Sequence, residues 1–275
     1  MSQRALTVRP PAVAGTFYPG AQRELAQNLA QMLGAAASTA PERSVPKAIV
    51  APHAGYIYSG PVAASVYALL APARERIRRV VLLGPTHRVA VRGLALPGVG
   101  AFATPLGIVE IDSGAVEALR GLPQIIESRQ AHALEHSLEV HVPFLQVILG
   151  QFTLVPLAVG HATQQEVAEV LERLWGGPET LIVVSPDLSH YLSYADAQAV
   201  DRATAKAILA LATDISHEQA CGATPVTGLA LAARRRGLKP ELLDLRTSGD
   251  TAGDRDRVVG YGSFAYYEVG VPGTA

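Results

Sequence analysis

The sequence predicts a single α/β domain, residues 1–275, with a central, largely parallel or mixed sheet flanked by helices. Two observations carry that prediction. Short apolar runs alternate with longer stretches of helical periodicity along the chain, and no interior linker is long enough to divide it. Three of the apolar runs also end alike. Lys47–Ala51 runs through Pro52 into His53, Val80–Leu83 through Gly84-Pro85-Thr86 into His87, and Leu181–Val184 through Ser185-Pro186 into Asp187 and His190. Each reads as a buried strand that stops at a small residue plus proline and then delivers a metal-capable or proton-active side chain. In open α/β sheets ligands bind beyond the carboxyl ends of the strands, so the three ends are candidates for one pocket.

In order, Arg23–Leu33 has helical spacing, and Gly34–Pro46, small, polar and proline-bearing, reads as a surface linker. The strand 47–51 leads into a loop, His53–Gly60, and then a helix over about 61–71. The strand 79–84 follows. Val91–Leu96 and Gly107–Ile111 read as strands joined by the Gly/Pro-rich turn 97–106. Helices are expected near 113–120 and 137–149, a strand near 153–158, a helix near 164–175 and the strand 181–185. Helices over about 194–212 and 225–236 and strands at Leu242–Leu245 and Val258–Tyr267 close the chain. Thr224-Pro225 suits an N-cap and first helical residue.

Composition removes several classes of function. At 49% hydrophobic and 17% charged, the chain can bury one sizeable core, and a net charge of −1 gives no basic excess for nucleic acid or an anionic membrane. The one dense cationic run, Arg234-Arg235-Arg236, ends a helical stretch, where it complements the helix dipole. Residues 93–109 and 142–165 carry no Asp, Glu, Lys or Arg, but Gly and Pro break both, so neither reads as a membrane span. A single cysteine, Cys221, allows no intrachain disulfide and fits a reducing compartment. Met1–Gly20 lacks the roughly 7–15-residue apolar stretch of a secretory signal, so a cytoplasmic location is expected.

Eight histidines are present. His161 and His217 read as ordinary polar residues. His53 and His87 differ because each follows a strand-terminating proline and is held on stiff backbone at the ligand edge. His132 and His136 have i, i+4 spacing, a rival metal pair, but the HExxH pattern of zinc proteases is absent. Glu135–His141 packs two carboxylates and two imidazoles into seven residues. It reads either as a helix N-terminus capped by Ser137 or as a pocket wall carrying His136, Glu139 and His141. Asp187 and His190 share one loop, an arrangement that suits acid/base work. Ser189 beside them has no G-x-S-x-G elbow, which argues against Ser-His-Asp hydrolysis. Cys221 alone reads as a small buried residue at a turn between helices, and Gly249–Asp256 as a surface turn before the last strand.

Ordered motifs spread over the chain resemble the Memo family. They are Ala12–Pro19, Ala51–Tyr56, Gly84–His87, Glu135–His141, Asp187–His190, Cys221-Gly222 and Val259–Tyr261, spanning about residues 8–267. Bacterial and archaeal members are also called AmmeMemoRadiSam system protein B. The resemblance implies a functional link to a radical-SAM protein and a fold similar to LigB-type class III extradiol dioxygenases. Those enzymes hold non-haem iron with two histidines and a glutamate. It further implies His53, His87 and Cys221 as metal ligands, His190 as an acid/base residue oriented by Asp187, and a pocket including His136, Glu139, His141 and Tyr56. Cysteine in place of glutamate departs from the dioxygenase pattern. A thiolate argues against ring cleavage and favours copper, zinc or a differently tuned iron.

The expected activity is therefore metal-dependent, dioxygenase-like redox chemistry on an unknown substrate, with iron or copper ahead of zinc. The alternatives are a non-enzymatic protein that binds a small molecule or peptide in the same cleft, and a metal-assisted hydrolase.

Overall fold

The structure is a computed structural model that describes residues 6–37 and 44–268. In chain order the elements are β1 (Val8–Arg9), α1 (Gln22–Ala37), β2 (Ala48–Val50), α2 (Tyr56–Tyr67), β3 (Arg79–Pro85), β4 (Leu94–Leu96), β5 (Ala101–Thr104), β6 (Gly107–Glu110), α3 (Ser113–Ala118), β7 (Ile125–Glu127), α4 (Arg129–Ala133), α5 (His141–Ile148), β8 (Thr153–Val159), α6 (Gln164–Arg173), β9 (Thr180–Val184), β10 (His190–Leu192), α7 (Tyr194–Leu209), α8 (Ala223–Arg236), β11 (Leu238–Thr247) and β12 (Val258–Glu268).

The main sheet runs β10-β12-β2-β9-β3-β8-β4-β7, with β11 also paired to β12. Strands β2, β9, β3 and β8 are parallel. The pairs β12–β2, β11–β12 and β4–β8 are antiparallel, so the sheet is mixed. Both faces are covered, which is why the central strands read as unbroken apolar runs. Side chains alternate across the sheet. Ile49, Leu82 and Val183 pack against α1, α2 and α5, while Val50, Leu83 and Val184 pack against α6, α7 and α8. Leu25 and Leu29 of α1 are fully buried, each contributing about 1.5–3 kcal/mol. A capping box, in which Thr163 accepts from the Glu166 N–H and the Glu166 carboxylate accepts from the Thr163 N–H, starts α6.

Several local expectations are corrected. The segment Tyr56–Gly60, expected as loop, is the start of α2, and Pro61 lies inside that helix. Tertiary contacts override the proline preference: the Tyr56 ring is buried against Tyr18 and Phe144, and its hydroxyl donates to the Val140 carbonyl. The helix gives way to a 3-10 turn at Ala68–Ala73. The helix expected from 137 begins at His141. Ser137 is not its cap, because its hydroxyl donates to the Pro85 carbonyl of β3. The turn expected over 97–106 contains β5, which pairs with β6 around the tight Thr104–Gly107 reversal. Strands β5 and β6 join β1 in a separate three-stranded sheet, so Gly107–Glu110 is no partner of β4. Gly222 occupies the cap position of α8, and Thr224 lies in its first turn. Helix α1 continues to Ala37, into the stretch read as linker; residues 38–43 of that stretch lie outside the described residues. Among the described residues, no helix is long and apolar enough to cross a membrane.

Candidate metal centre

Strand order decides the site. β9 lies between β2 and β3, so the three proline-terminated ends emerge side by side. Backbone bonds past the strands hold them there: Ala51 N–H donates to Val184 O, and Ser185 N–H to Leu83 O. One ring nitrogen from each of His53, His87 and His136 lies within 4.8 Å of the other two. The rings pack tightly, with centroids 5.2 Å apart for His53–His87, 5.4 Å for His53–His136 and 4.6 Å for His87–His136.

Each imidazole is oriented from behind. His53 is 2% exposed, and its Nδ1 lies 3.0 Å from the Ser185 carbonyl and 2.7 Å from Ser185 Oγ. A carbonyl only accepts, so Nδ1 carries the proton and Nε2 keeps its lone pair. The Ser185 hydroxyl donates to the Ser137 carbonyl at 2.6 Å and lies 2.8 Å from His141 Nε2. The His141 Nδ1 lies 2.9 Å from the Tyr67 hydroxyl. A single assignment satisfies every atom of this chain: Tyr67 donates to His141, His141 to Ser185, and Ser185 to Ser137. His87 and His136 share the carboxylate of Glu135, with Nδ1 distances of 2.9 and 3.3 Å to Oε1. The same carboxylate accepts the backbone N–H groups of His87, His136 and Ser137. With the Nδ1 of His53 and of His87 hydrogen-bonded to acceptors and that of His136 3.3 Å from the Glu135 carboxylate, each Nε2 is left as the ligand atom, the outer-shell arrangement typical of metal-binding histidines.

The electrostatics agree. Burial, then the neighbouring imidazoles of His136 and His87, pushes His53 well below the usual histidine range, so it is neutral at pH 7. Burial also lowers His136. Burial by itself raises Glu135, but the hydrogen bonds from His87 and the backbone outweigh it and bring the carboxyl down to about 2. The ionised Glu135 carboxylate thus stands behind the rings of His87 and His136. This donor set fits a divalent transition metal.

Cys221 Sγ lies 3.5 Å from His53 Nε2 and accepts the Asp187 N–H at 3.3 Å, while the Cys221 N–H donates to the Asp187 carbonyl. The sulfur therefore sits beside one of the three nitrogens but outside the three-nitrogen cluster. Burial, then the Asp187 charge, pushes its thiol up to about 12. Asp187 is 4% exposed and raised by burial, and its Oδ1 accepts the His53 backbone N–H at 2.7 Å. Asp187 and His190 both line the cavity in front of the histidines, a space of about 570 Å³. Among the described residues no side chain hydrogen-bonds the His190 imidazole, so Asp187 orients the His53 backbone and not the His190 ring.

Of the other expected pocket residues, His136 lines the cavity, whereas Glu139, His141 and Tyr56 stand behind it. Glu139 is 1% exposed and ties down the N-terminal segment. Arg9 pairs with it at 2.6 Å, and Tyr18 Oη and the N–H groups of Ala12 and Val13 donate to it. Arg9 also donates to the carbonyls of His132 and Glu135, so this strap braces the loop that carries Glu135 and His136. His132 is buried away from the cavity, donating to the Ala95 carbonyl, which leaves no His132/His136 metal pair.

Sequence reasoning missed three supporting residues. Ser185 was legible only as the small residue before a proline. Glu135 was visible as an acid but not as the partner of His87, 48 residues away. Asp201 of α7 accepts the Ser189 N–H and fixes the Asp187–His190 loop, and a Cβ on Gly260 would collide with its carboxylate. Its signal was a lone acid on the buried side of a helix.

Comparison with known proteins is consistent with this assembly. The Memo-like protein family matches residues 9–265. A MEMO1 family protein of Aquifex aeolicus is 37% identical over 269 residues, covering 93% of this chain and 98% of the relative. One from Aeropyrum pernix is 36% identical over 279 residues, covering 93% and 98%. Among solved structures, an uncharacterized protein, JW3007, from Escherichia coli K12 has a TM-score of 0.50 at 14% identity, covering 79% of this chain and 99% of that one, a likeness of fold alone. With a family match over nearly its whole length and relatives well above 30% identity, the chain belongs to the Memo family.

Proposed function

We propose that this protein is a metal-dependent oxidoreductase acting on a small molecule in the cavity before His53, His87 and His136. The observation that supports it is the set of three imidazoles whose ring nitrogens cluster at one cavity, each with its Nδ1 turned to a protein acceptor. These three would hold the metal, with the Cys221 sulfur adjacent as a further donor. Iron or copper would supply one-electron and oxygen chemistry there, and zinc Lewis acidity. Glu135 and Ser185 hold the rings. His190, on the cavity wall, would pass a proton to or from the substrate, and the buried Asp187 would add negative charge beside it.

A second reading, metal-assisted hydrolysis, is favoured by the three-histidine set, which is also a catalytic zinc set. Elemental analysis of untagged protein purified without chelator tests both readings. Iron or copper with substrate-dependent oxygen uptake supports redox chemistry, and zinc without oxygen dependence supports hydrolysis. His53→Ala and His136→Ala should each lose the metal, and retention in both would refute the site. Cys221→Ser should weaken copper and zinc binding, and unchanged affinities would remove the sulfur from the ligand set. His190→Ala should keep the metal and lower turnover by about 10²–10⁴-fold.

A further inference from the structure

Behind the metal centre a hydrogen-bonded chain runs deeper than the site requires. It passes from His53 Nδ1 to Ser185 Oγ at 2.7 Å, from Ser185 Oγ to His141 Nε2 at 2.8 Å, and from His141 Nδ1 to the Tyr67 hydroxyl at 2.9 Å. Ser185, His141 and Tyr67 are each 1% exposed or less. Ser185 Oγ already has His53 and the Ser137 carbonyl as partners, so the last two members add nothing to the hold on His53. Packing does not call for them either. The Tyr67 ring stacks on Phe144 with centroids 4.9 Å apart and planes at 10°, which a phenylalanine would do equally, and both belong to the apolar cluster that includes Val66, Leu70 and Leu145. In such a setting two apolar groups of the same shape serve stability nearly as well as a hydrogen-bonded pair. What the pair supplies is chemistry: a phenol hydroxyl aimed at the lone pair of an imidazole, at the end of an unbroken path to a metal-binding ring.

We propose that Tyr67 is a one-electron donor to the metal centre, its electron leaving along this chain as its proton passes to His141 Nδ1. The inference rests on the site holding a redox metal and adds the source of a second electron. With a peroxide as oxidant the step balances. The O–O bond breaks to give two hydroxides, one electron comes from the metal and one from Tyr67, and the chain is left with a neutral phenoxyl on Tyr67 and an imidazolium on His141. Burial couples the two transfers. It pushes the Tyr67 phenol well above its ordinary range, so no phenolate forms beforehand and the proton must leave with the electron. It pushes His141 well below the histidine range, so Nδ1 is unprotonated at pH 7 and open to that proton. An oxidised phenol is a strong acid and yields its proton even to so weak a base. Tyr58, Tyr191 and Tyr261 line the cavity itself, but among the described residues none of their hydroxyls is hydrogen-bonded to a side-chain base. Tyr18 meets the Glu139 carboxylate, which is already paired with Arg9.

The test is freeze-quench electron paramagnetic resonance on the full chain loaded with iron(II), or with copper(I) where iron is not taken up, its metal content measured before it is mixed with hydrogen peroxide. The expected result is a tyrosyl radical, identified by the narrowing of its signal in protein grown on ring-deuterated tyrosine. Tyr67→Phe keeps the ring and its stack on Phe144, and should lose the signal with metal content as in wild type. His141→Phe removes the proton acceptor and should lose it too, whereas Tyr261→Phe should keep it. Tyr67→Phe decides the matter alone if His141→Phe does not fold. A metal-bearing protein that forms no tyrosyl radical, a radical that survives Tyr67→Phe or a folded His141→Phe, or one that is lost in Tyr261→Phe would each overturn the proposal and leave the metal centre standing. Protein that takes up neither iron nor copper would refute the redox centre, and this proposal with it.

Discussion

The inner and outer halves of the cavity are built on opposite principles. The inner half, with His53, Glu135, Ser185 and Asp187, is almost wholly buried, and each of these groups meets a partner within the protein. The outer half, with His190, Tyr191, Asp254 and Arg257, is open and sparsely bonded. The difference separates two tasks. Fixed lone pairs suit a cation that must be held in one geometry, and free donors suit a ligand that comes and goes. Substitutions in the inner half and its bracing should therefore cost stability or metal, and those in the outer half only ligand binding or turnover.

The largest effect is expected behind the inner half. Arg9→Met leaves the Glu139 carboxylate buried without its cation, and breaking such a pair costs about 3–5 kcal/mol. Urea denaturation would show it as a lower midpoint, and a loss below about 1 kcal/mol would mean that Tyr18 and the two backbone N–H groups hold Glu139 unaided.

Next comes the response to acid. Burial lowers His132 from its ordinary value to about 4, with Arg9 adding to the shift. The folded state thus binds this proton more weakly than the unfolded chain does. The stabilisation is complete above about pH 6.5 and is lost as the pH falls from there towards 4, roughly 3 kcal/mol in all. Buried His53 and His141 act in the same direction. His132→Gln should reduce the gap between denaturation midpoints at pH 7.5 and 4.5, and an unchanged gap would assign the acid sensitivity elsewhere.

A smaller effect is expected at Ser185. Ser185→Ala removes the hydroxyl between His53 and His141 but leaves the Ser185 carbonyl on His53 Nδ1. Metal affinity should fall about 10–100-fold, the range found for lost outer-shell partners. Chelator competition would measure it, and unchanged affinity would show that the carbonyl alone orients the ring.

The smallest effects belong to the outer half. His190→Ala and Tyr191→Ala should shift stability by less than about 0.5 kcal/mol and leave metal content intact. Metal loss in His190→Ala would move that histidine into the ligand set and blur the distinction between the halves.

What was legible in the sequence follows the same division. The central strands could be read because, buried on both faces, they are continuous apolar runs, and prolines mark where β2, β3 and β9 stop. His53 and His87 could be placed at the ligand edge because their positions follow from strand geometry alone. The role of His136 could not, because it depends on Glu135 folding back onto the backbone of His87 and not on any local period. The short strands β1, β7 and β10 were equally hidden, since two or three residues carry no periodicity. Helix α2 was misplaced because Pro61 is a local signal and the packing of Tyr56 is a distant one.

The bracing of the site also has a consequence for the order in which the protein is made. Residues 8–18 leave the ribosome more than 120 residues ahead of their carboxylate partner Glu139. His136 follows His53 by 83 positions, and the sulfur beside His53 arrives only at position 221. The three imidazoles and the sulfur meet only once the chain past position 221 has been made, so a cation held there would be captured late in biogenesis, by protein whose last strands have already docked.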